Sequence, residues 1–248
     1  MNTDAPVLHV FSGAGLSAES GVPTFRTAGG VWSRHNLDRV CNMLTWRQHR
    51  DEVFAFYEGR RAEAASVAPN EAHRRLAAWQ ARWGPQRVRL LTQNVDDLLE
   101  RGGAQEVIHL HGDLQHLLCT ACEHRWPVEA ARYHAQTPCP ACEGLNSVKP
   151  GVVFFHEAAP AYAHLARMVH TIRAHDILLV VGTALEVVSV AQLVPPHRVG
   201  HALNWQVNPE PADPEHFGRI VAAPASVGLA DLEPELIERM GLPGMPCV

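Results

Sequence analysis

The sequence predicts an α/β fold: a doubly wound parallel sheet carrying a helical insertion and a small four-cysteine zinc module. Three observations carry this expectation. Short continuous apolar runs such as Ile177-Leu178-Leu179-Val180-Val181 suit strands that are covered on both faces. These runs alternate with helical patterns along the chain. Two of them end in glycine-containing turns, at Gly13 and at Gly182-Thr183, where an open sheet of this kind places its ligands.

Taken in order, Val7–Phe11 is the first expected strand. Val88–Thr92, Val107–Leu110, Val152–Phe155, Ile177–Val181 and Ala202–Val207 follow as further strands. Helical patterns occupy Glu52–Ser66, Glu71–Trp83, Val95–Arg101 and Tyr162–Ala174. Residues 27–69 interrupt the sheet and form the helical insertion. Residues 113–149, polar and rich in turns, form the cysteine-bearing module. The whole chain, 1–248, is then one domain whose ligand cleft lies between the two insertions.

Composition excludes several classes. A net charge of −5 gives no electrostatic case for nucleic-acid binding. No apolar run approaches the roughly 20 residues of a membrane span. The opening Met1-Asn2-Thr3-Asp4 lacks the pattern of a secretion signal, so the expected location is cytoplasmic. Cysteines there are reduced or metal-bound more often than disulfide-paired.

Four of the six cysteines form a pattern: Cys119-x-x-Cys122 and, after sixteen residues, Cys139-x-x-Cys142. Two such knuckles match a tetrahedral four-thiolate zinc site, against the alternatives of two disulfides or four free thiols. With all four positions taken by sulfur, no position stays open for water, so the zinc is expected to be structural.

The segment Gly13–Arg26 packs three glycines and two serines into its first nine residues, a composition suited to close backbone approach and phosphate binding. It is not the G-x-G-x-x-G fingerprint, because the third glycine follows the second by six residues. Pro23, Phe25 and Arg26 add a stiff turn, a ring and a fixed positive charge. Thr92-Gln93-Asn94-Val95-Asp96 ends an apolar run, so its polar groups emerge at the carboxyl edge of the sheet unless they merely cap a helix. His109 and His111 share one side of another strand end, and a histidine there can act as a general base. With sixteen histidines in the chain, surface or packing roles compete with that assignment.

These clusters follow one another in a fixed order, closed by Gly182-Thr183 and Asn208-Pro209-Glu210. The arrangement resembles the sirtuins, NAD-dependent protein-lysine deacylases, over about Val7 to Leu236. The resemblance implies a Rossmann-like core that binds NAD, with Gly13, Ala14, Gly15, Ser17, Phe25 and Arg26 around the pyrophosphate and nicotinamide end. Gln93, Asn94, Val95 and Asp96 would hold the nicotinamide ribose and carboxamide, with Asn94 also counted as catalytic. Gly182, Thr183, Ala184, Asn208, Pro209, Glu210 and Ala225 would hold the adenosine half, and His111 would be the general base. The implied reaction uses NAD, acyl-lysine and one water, and yields free lysine, nicotinamide and O-acyl-ADP-ribose.

Tyr57 and Arg60 stand three apart on a predicted helix, so their side chains share a face and could clamp a carboxylate. The competing reading is a solvated face with Arg60 paired to a nearby glutamate. Within a sirtuin-like chain, Tyr57 and Arg60, joined by Thr24, resemble class III members that remove succinyl, malonyl or glutaryl groups. Four positions depart from the family pattern: Cys41 for a small alanine, His156 for glycine, Ala184 for serine and Ser189 for proline. Three alternatives stay open: a plain deacetylase, a mono-ADP-ribosyltransferase or NAD hydrolase, and a non-catalytic NAD-binding zinc module. The expected partners are acyl-lysine proteins or peptides.

Overall fold

The structure is a computed structural model that describes residues 5–24, 37–128, 135–194 and 200–241. Its centre is a six-stranded, all-parallel sheet. The strands are β1 (Leu8–Ser12), β2 (Val88–Thr92), β3 (Val107–His109), β7 (Ile177–Val181), β8 (Asn204–Val207) and β9 (Arg219–Val221). Their spatial order is β3-β2-β1-β7-β8-β9, so the direction of winding reverses between β1 and β7. A second sheet is antiparallel and holds β4 (Gly112–Cys119), β5 (Arg125–Pro127) and β6 (Val148–Val152) in the order β5-β4-β6.

Alternation along β7 shows why the large sheet needs two layers of helix. Ile177, Leu179 and Val181 face one core with Leu76, Trp79, Leu229 and Leu232. Leu178 and Val180 face the other with Leu165, Met168 and Val190. The first layer comes from α4 (Glu71–Trp83) and α8 (Ala225–Met240), the second from α6 (Tyr162–Thr171) and α7 (Val190–Leu193). A strand buried on both faces has no polar side to show, and this is why its sequence is a continuous apolar run. After the one-turn α2 (Leu37–Val40), a third core joins α3 (Arg50–Ser66) to the small sheet through Trp46, Val53, Tyr57, Leu114, Val152 and Phe154.

Expected and observed elements coincide at Val88–Thr92, Ile177–Val181 and Glu71–Trp83. The expected strand Val152–Phe155 is corrected. The strand is Val148–Val152 and it belongs to the small sheet. Lys149 hid it: the side chain is fully buried, with Nζ 3.0 Å from Glu157 and hydrogen-bonded to the Val152 carbonyl. The expected helix Val95–Arg101 shrinks to α5 (Leu98–Arg101), because the Asp96 side chain accepts the Leu98 N–H and caps the turn locally. Short β9 and the long α8 lie beyond the expected elements; Pro234 inside α8 masks its helical pattern.

Helix α8 rests so closely on β8 that a Cβ added at Gly228 would lie 2.3 Å from Val207 Cγ1. Val207 is fully buried and β-branched, so it cannot swing aside. Gly228→Ala is therefore expected to lower stability by about 1–3 kcal/mol, overpacking outweighing the helix propensity gained. Gly59, exposed in the middle of α3, meets nothing within 4 Å. Gly59→Ala should raise stability by about 0.5–1 kcal/mol, and urea unfolding of the two variants measures both signs.

Candidate active site

The carboxyl ends of β1 and β7 meet backbone to backbone. Gly13 N–H donates to the Val181 carbonyl at 3.0 Å and Gly15 N–H to the Gly182 carbonyl at 2.8 Å. A Cβ at Gly15 would lie 2.8 Å from Gly182 Cα, and one at Gly182, where φ is +60°, would lie 2.4 Å from the Leu16 nitrogen. The helix after β1 is a single turn, α1 (Gly15–Ala18). The N–H groups of the two glycines are thus spent on β7, and their small size serves close approach between the turns.

Ser17, buried on α1, is the hub of a side-chain network. Its Oγ lies 2.9 Å from Asp96, 3.1 Å from Asn94 Nδ2 and 3.3 Å from His73 Nε2. The Asn70 N–H donates to His73 Nδ1, so the imidazole carries its proton on Nε2. Ser17 then accepts from Asn94 and His73 and donates its own proton to the Asp96 carboxylate. Every bond in this set is satisfied in one protonation state. Burial pushes the pKa of His73 down to about 4, which keeps that state, and it raises the pKa of Asp96.

His109 supports the same loop from β3. Its two ring nitrogens each lie 2.8 Å from an acceptor, Nδ1 from the Asn94 carbonyl and Nε2 from Glu100. Burial alone would lower its pKa, but the hydrogen bond and charge of Glu100 raise it. His109 is therefore a clamp on Asn94, with its ring turned away from the role of a free base.

His111 is the opposite case. Its Nδ1 donates to the Gln93 carbonyl at 3.0 Å, since a carbonyl only accepts, and this leaves Nε2 as an acceptor. Burial lowers its pKa below the ordinary 6.5, so the ring is neutral at pH 7. Tyr162 Oη stands 2.8 Å from Nε2. A neutral histidine with one anchored N–H and one basic nitrogen is poised as a general base.

The adenosine-side candidates gather beyond β7 and β8. Thr183 is buried and donates to Gln93 Oε1 at 3.1 Å, linking the two turns. Asn208 donates from Nδ2 to the Thr183 carbonyl at 3.2 Å and to the Glu210 carbonyl at 2.6 Å. Ala184, Pro209 and Glu210 are exposed at this edge, while Ala225 is buried at the start of α8. Ser189 donates to Asp213 at 2.7 Å, a tie that a proline there could not make. Val95 is half-buried, and its carbonyl accepts from Leu114 N–H at 2.9 Å. Phe25 and Arg26 lie outside the described residues.

The segment 153–157 joins this edge to the helical insertion. Val153 N–H donates to the His111 carbonyl at 2.8 Å, and Phe155 N–H to the Cys41 carbonyl at 2.9 Å. Glu157, paired with Lys149, accepts the Phe154 N–H at 2.7 Å and closes the turn. His156, exposed in that turn, holds φ at +64°, the left-handed region where glycine is at ease. Across the segment, Tyr57 is buried on α3, stacks on Phe154 with ring centroids 5.6 Å apart, and donates its hydroxyl to Cys41 Sγ at 3.2 Å. Arg60, half-buried on the same helix, pairs with Glu63.

The four cysteines converge. Their sulfurs all lie within 4.8 Å of one another, with Cys119 to Cys142 and Cys122 to Cys139 each 3.6 Å apart. A disulfide needs about 2.05 Å, whereas the edge of a zinc–thiolate tetrahedron with bonds of about 2.3 Å is about 3.8 Å. The two knuckles repeat one conformation: Glu123 and Glu143 each take φ +59° and return an N–H to the first cysteine of the pair, Cys119 or Cys139. This donor set fits one structural zinc ion.

A Sir2 family model matches residues 13–189. The chain belongs to the Sir2 family. It is 37% identical over 251 residues to the NAD-dependent protein deacylase of Helicobacter hepaticus, covering 93% of this sirtuin and 97% of that relative. It is 39% identical over 244 residues to NAD-dependent protein deacylase 1 of Pseudomonas aeruginosa, covering 94% and 93% of the two chains. A solved Sir2 homologue–NAD complex superimposes with a TM-score of 0.80 at 29% identity, covering 96% of this sirtuin and 92% of that chain. No helix among the described residues is long and apolar enough to cross a membrane.

The residues present fit NAD. Neutral hydrogen-bonding groups suited to ribose hydroxyls and a carboxamide line the reversal point of the sheet: Gln93, Asn94, Thr183 and Asn208. Sequence reasoning missed His73, Lys149 and Tyr162. The Asn70-x-x-His73 spacing, a reciprocal helix cap, was a legible signal for the first. For zinc, elemental analysis is expected to find one ion per chain, with X-ray absorption giving four sulfurs at about 2.3 Å. Cys139→Ala should lose the metal and the ordered small sheet, seen as increased amide exchange over β4–β6.

Proposed function

We propose that this sirtuin, an NAD-dependent protein deacylase, removes acidic acyl groups of the succinyl or malonyl type from lysine side chains of proteins or peptides. Bound NAD supplies a ribose carbon that becomes electrophilic as nicotinamide leaves. In this reading Gly13, Ala14, Gly15, Ser17, Phe25 and Arg26 hold its pyrophosphate and nicotinamide end, and Gln93, Asn94, Val95 and Asp96 its proximal ribose and carboxamide. Gly182, Thr183, Ala184, Asn208, Pro209, Glu210 and Ala225 hold the adenosine half. Cys119, Cys122, Cys139 and Cys142 bind zinc, which shapes one wall of the cleft and takes no part in the chemistry. The whole chain acts as one catalytic domain, and its thiolate cluster suits a reducing compartment such as the cytoplasm.

The observation that carries the reaction is the state of His111: Nδ1–H fixed on the Gln93 carbonyl, Nε2 left as acceptor, and burial holding the ring neutral. His111 takes a proton from a ribose hydroxyl at Nε2, and Asn94, held by Ser17 and by His109 on its carbonyl, orients that sugar. A base that works neutral loses activity when it is protonated. kcat/KM is thus expected to fall on the acid side with a midpoint below 6.5, the ordinary histidine value. His111→Ala should reduce deacylation by about 100-fold or more, as loss of a general base does. A pH profile of the wild type beside single-turnover rates of the variant checks both, and a variant as fast as wild type would remove His111 from the mechanism.

Support for an acidic acyl group comes from the wall formed by α3. Tyr57 sets a phenol against Cys41, where the segment from His111 passes, and Arg60 follows one turn later with only 15% of its side chain exposed. The Arg60–Glu63 pair along the helix is weakly stabilising, and a substrate carboxylate bound bidentately can displace it. The same pair also favours a plain deacetylase, in which Arg60 simply keeps Glu63. Mass spectrometry of succinyl-, malonyl- and acetyl-lysine peptides incubated with NAD separates the two. On the acidic-acyl reading, Arg60→Met costs the succinyl peptide about 10- to 100-fold in kcat/KM and leaves the acetyl peptide within about 3-fold. Equal loss on both peptides would reject the clamp.

A further inference from the structure

The base assigned to His111 works through Nε2, and in the structure that nitrogen already has a hydrogen-bond partner. Tyr162 opens helix α6 and sets its hydroxyl 2.8 Å from Nε2, with the two rings 5.8 Å apart and stacked at 27°. The direction of the bond follows from the opposite side of the imidazole. Nδ1 gives its hydrogen to the Gln93 carbonyl, so in the neutral ring Nε2 accepts and the phenol donates. The phenol remains an O–H donor, since burial raises its pKa. Helix α6 is otherwise a core element, anchored through Leu165 and Met168 with the Tyr162 ring packed beside them, and the bond recorded for the Tyr162 hydroxyl among the described residues is the one to His111. The backbone of Tyr162 is fixed in the turn by its own N–H to the Ala159 carbonyl at 3.0 Å.

We infer that Tyr162 is a positioning residue and place-holder: its phenol O–H occupies Nε2 of His111 in the ligand-free enzyme and is exchanged for a ribose hydroxyl when NAD binds. The two donors have the same chemistry, so the exchange keeps Nε2 hydrogen-bonded throughout. The half-buried phenol turns to water when it is released. While it is in place, the phenol bond and the stacked ring fix the imidazole plane, so the base is aligned before NAD arrives. The cost is competition, because NAD must displace a bond that is already made. This inference rests on the assignment of His111 as the base.

The test compares wild type with Tyr162→Phe, which keeps the ring and removes only the donor. In ligand-free protein, long-range proton–nitrogen NMR should show Nδ1 of His111 protonated in both forms. The Nε2 resonance of the wild type should carry the upfield shift of a hydrogen-bonded acceptor and lose it in the variant. In steady-state assays at saturating acyl peptide, the variant should show a KM for NAD lower by about 2- to 10-fold, the worth of one net hydrogen bond, and kcat should move by less than KM does. An Nε2 resonance identical in the two proteins would overturn the inference, and so would an unchanged KM. A fall in kcat at constant KM would also overturn it, because the hydroxyl would then take part in the chemistry. The NMR comparison reads Tyr162 without turnover, whereas His111→Ala tests the base itself, so failure of one is distinguishable from failure of the other.

Discussion

The turns that end β1 and β7 touch through backbone atoms alone, with Gly15 N–H on the Gly182 carbonyl and room for no Cβ on either side. Because winding reverses between these two strands, helices leave the sheet in opposite directions and open a crevice above the contact. The contact also sets the height of α1, and with it the height of Ser17. A larger residue at either glycine would push α1 away from β7 and carry Ser17 off its partners. The geometry of the polar cluster is thus inherited from a steric condition in the backbone.

Ser17 converts that position into a defined protonation pattern. A hydroxyl has one hydrogen to give, and two donors, Asn94 and His73, already point at its lone pairs, so the hydrogen goes to Asp96. Partly satisfied buried networks are costly, and fully satisfied ones are rigid. Here a burial-depressed His73 fixes one end and Glu100, through His109, fixes the other. The loop from Gln93 to Asp96 is therefore held from α1, α4 and β3 together. Its amides are fixed by these neighbours, Asn94 on Ser17 and Gln93 on Thr183.

The large sheet was legible because strands buried on both faces read as short continuous apolar runs bounded by turn residues, as Ile177–Val181 shows, although the similar run Val152–Phe155 misled. The thiolate cluster was legible from spacing alone, since knuckle geometry is local. What escaped was set by tertiary partners. Lys149 looks like a strand breaker in a buried run, and Glu157, two carbonyls and the face of the Phe154 ring make its burial tolerable. Arg60 was legible as a member of a helix face, and the competing expectation, a pair with a nearby glutamate, is the one the structure shows, with Glu63. Tyr162 gave no signal: contact with His111 spans 51 positions, and a single aromatic at a helix start matches ordinary packing. Of the candidate site, the turns at strand ends were readable, and the protonation states required the fold.

His111 stands where the chain passes from one sheet to the other, between β3 of the large sheet and β4 of the small one. The passage is made at Gly112, with φ at +72°, where a Cβ would lie 2.0 Å from the Gly151 carbonyl oxygen of β6. The backbone of the small sheet therefore braces the residue next to the candidate base. The far end of β4 is Cys119 and β6 begins near Cys142, so the thiolate cluster closes the strand pair whose other end supports His111. A metal bound there would tie the Cys119 end of β4 to β6, where Leu117, Leu118 and Cys119 pair with Pro150, Lys149 and Val148, and the register then shifts before Gly112 pairs with Val152. The small sheet thus supports the backbone on both sides of the candidate base, through Gly112 against Gly151 and Val153 N–H on the His111 carbonyl.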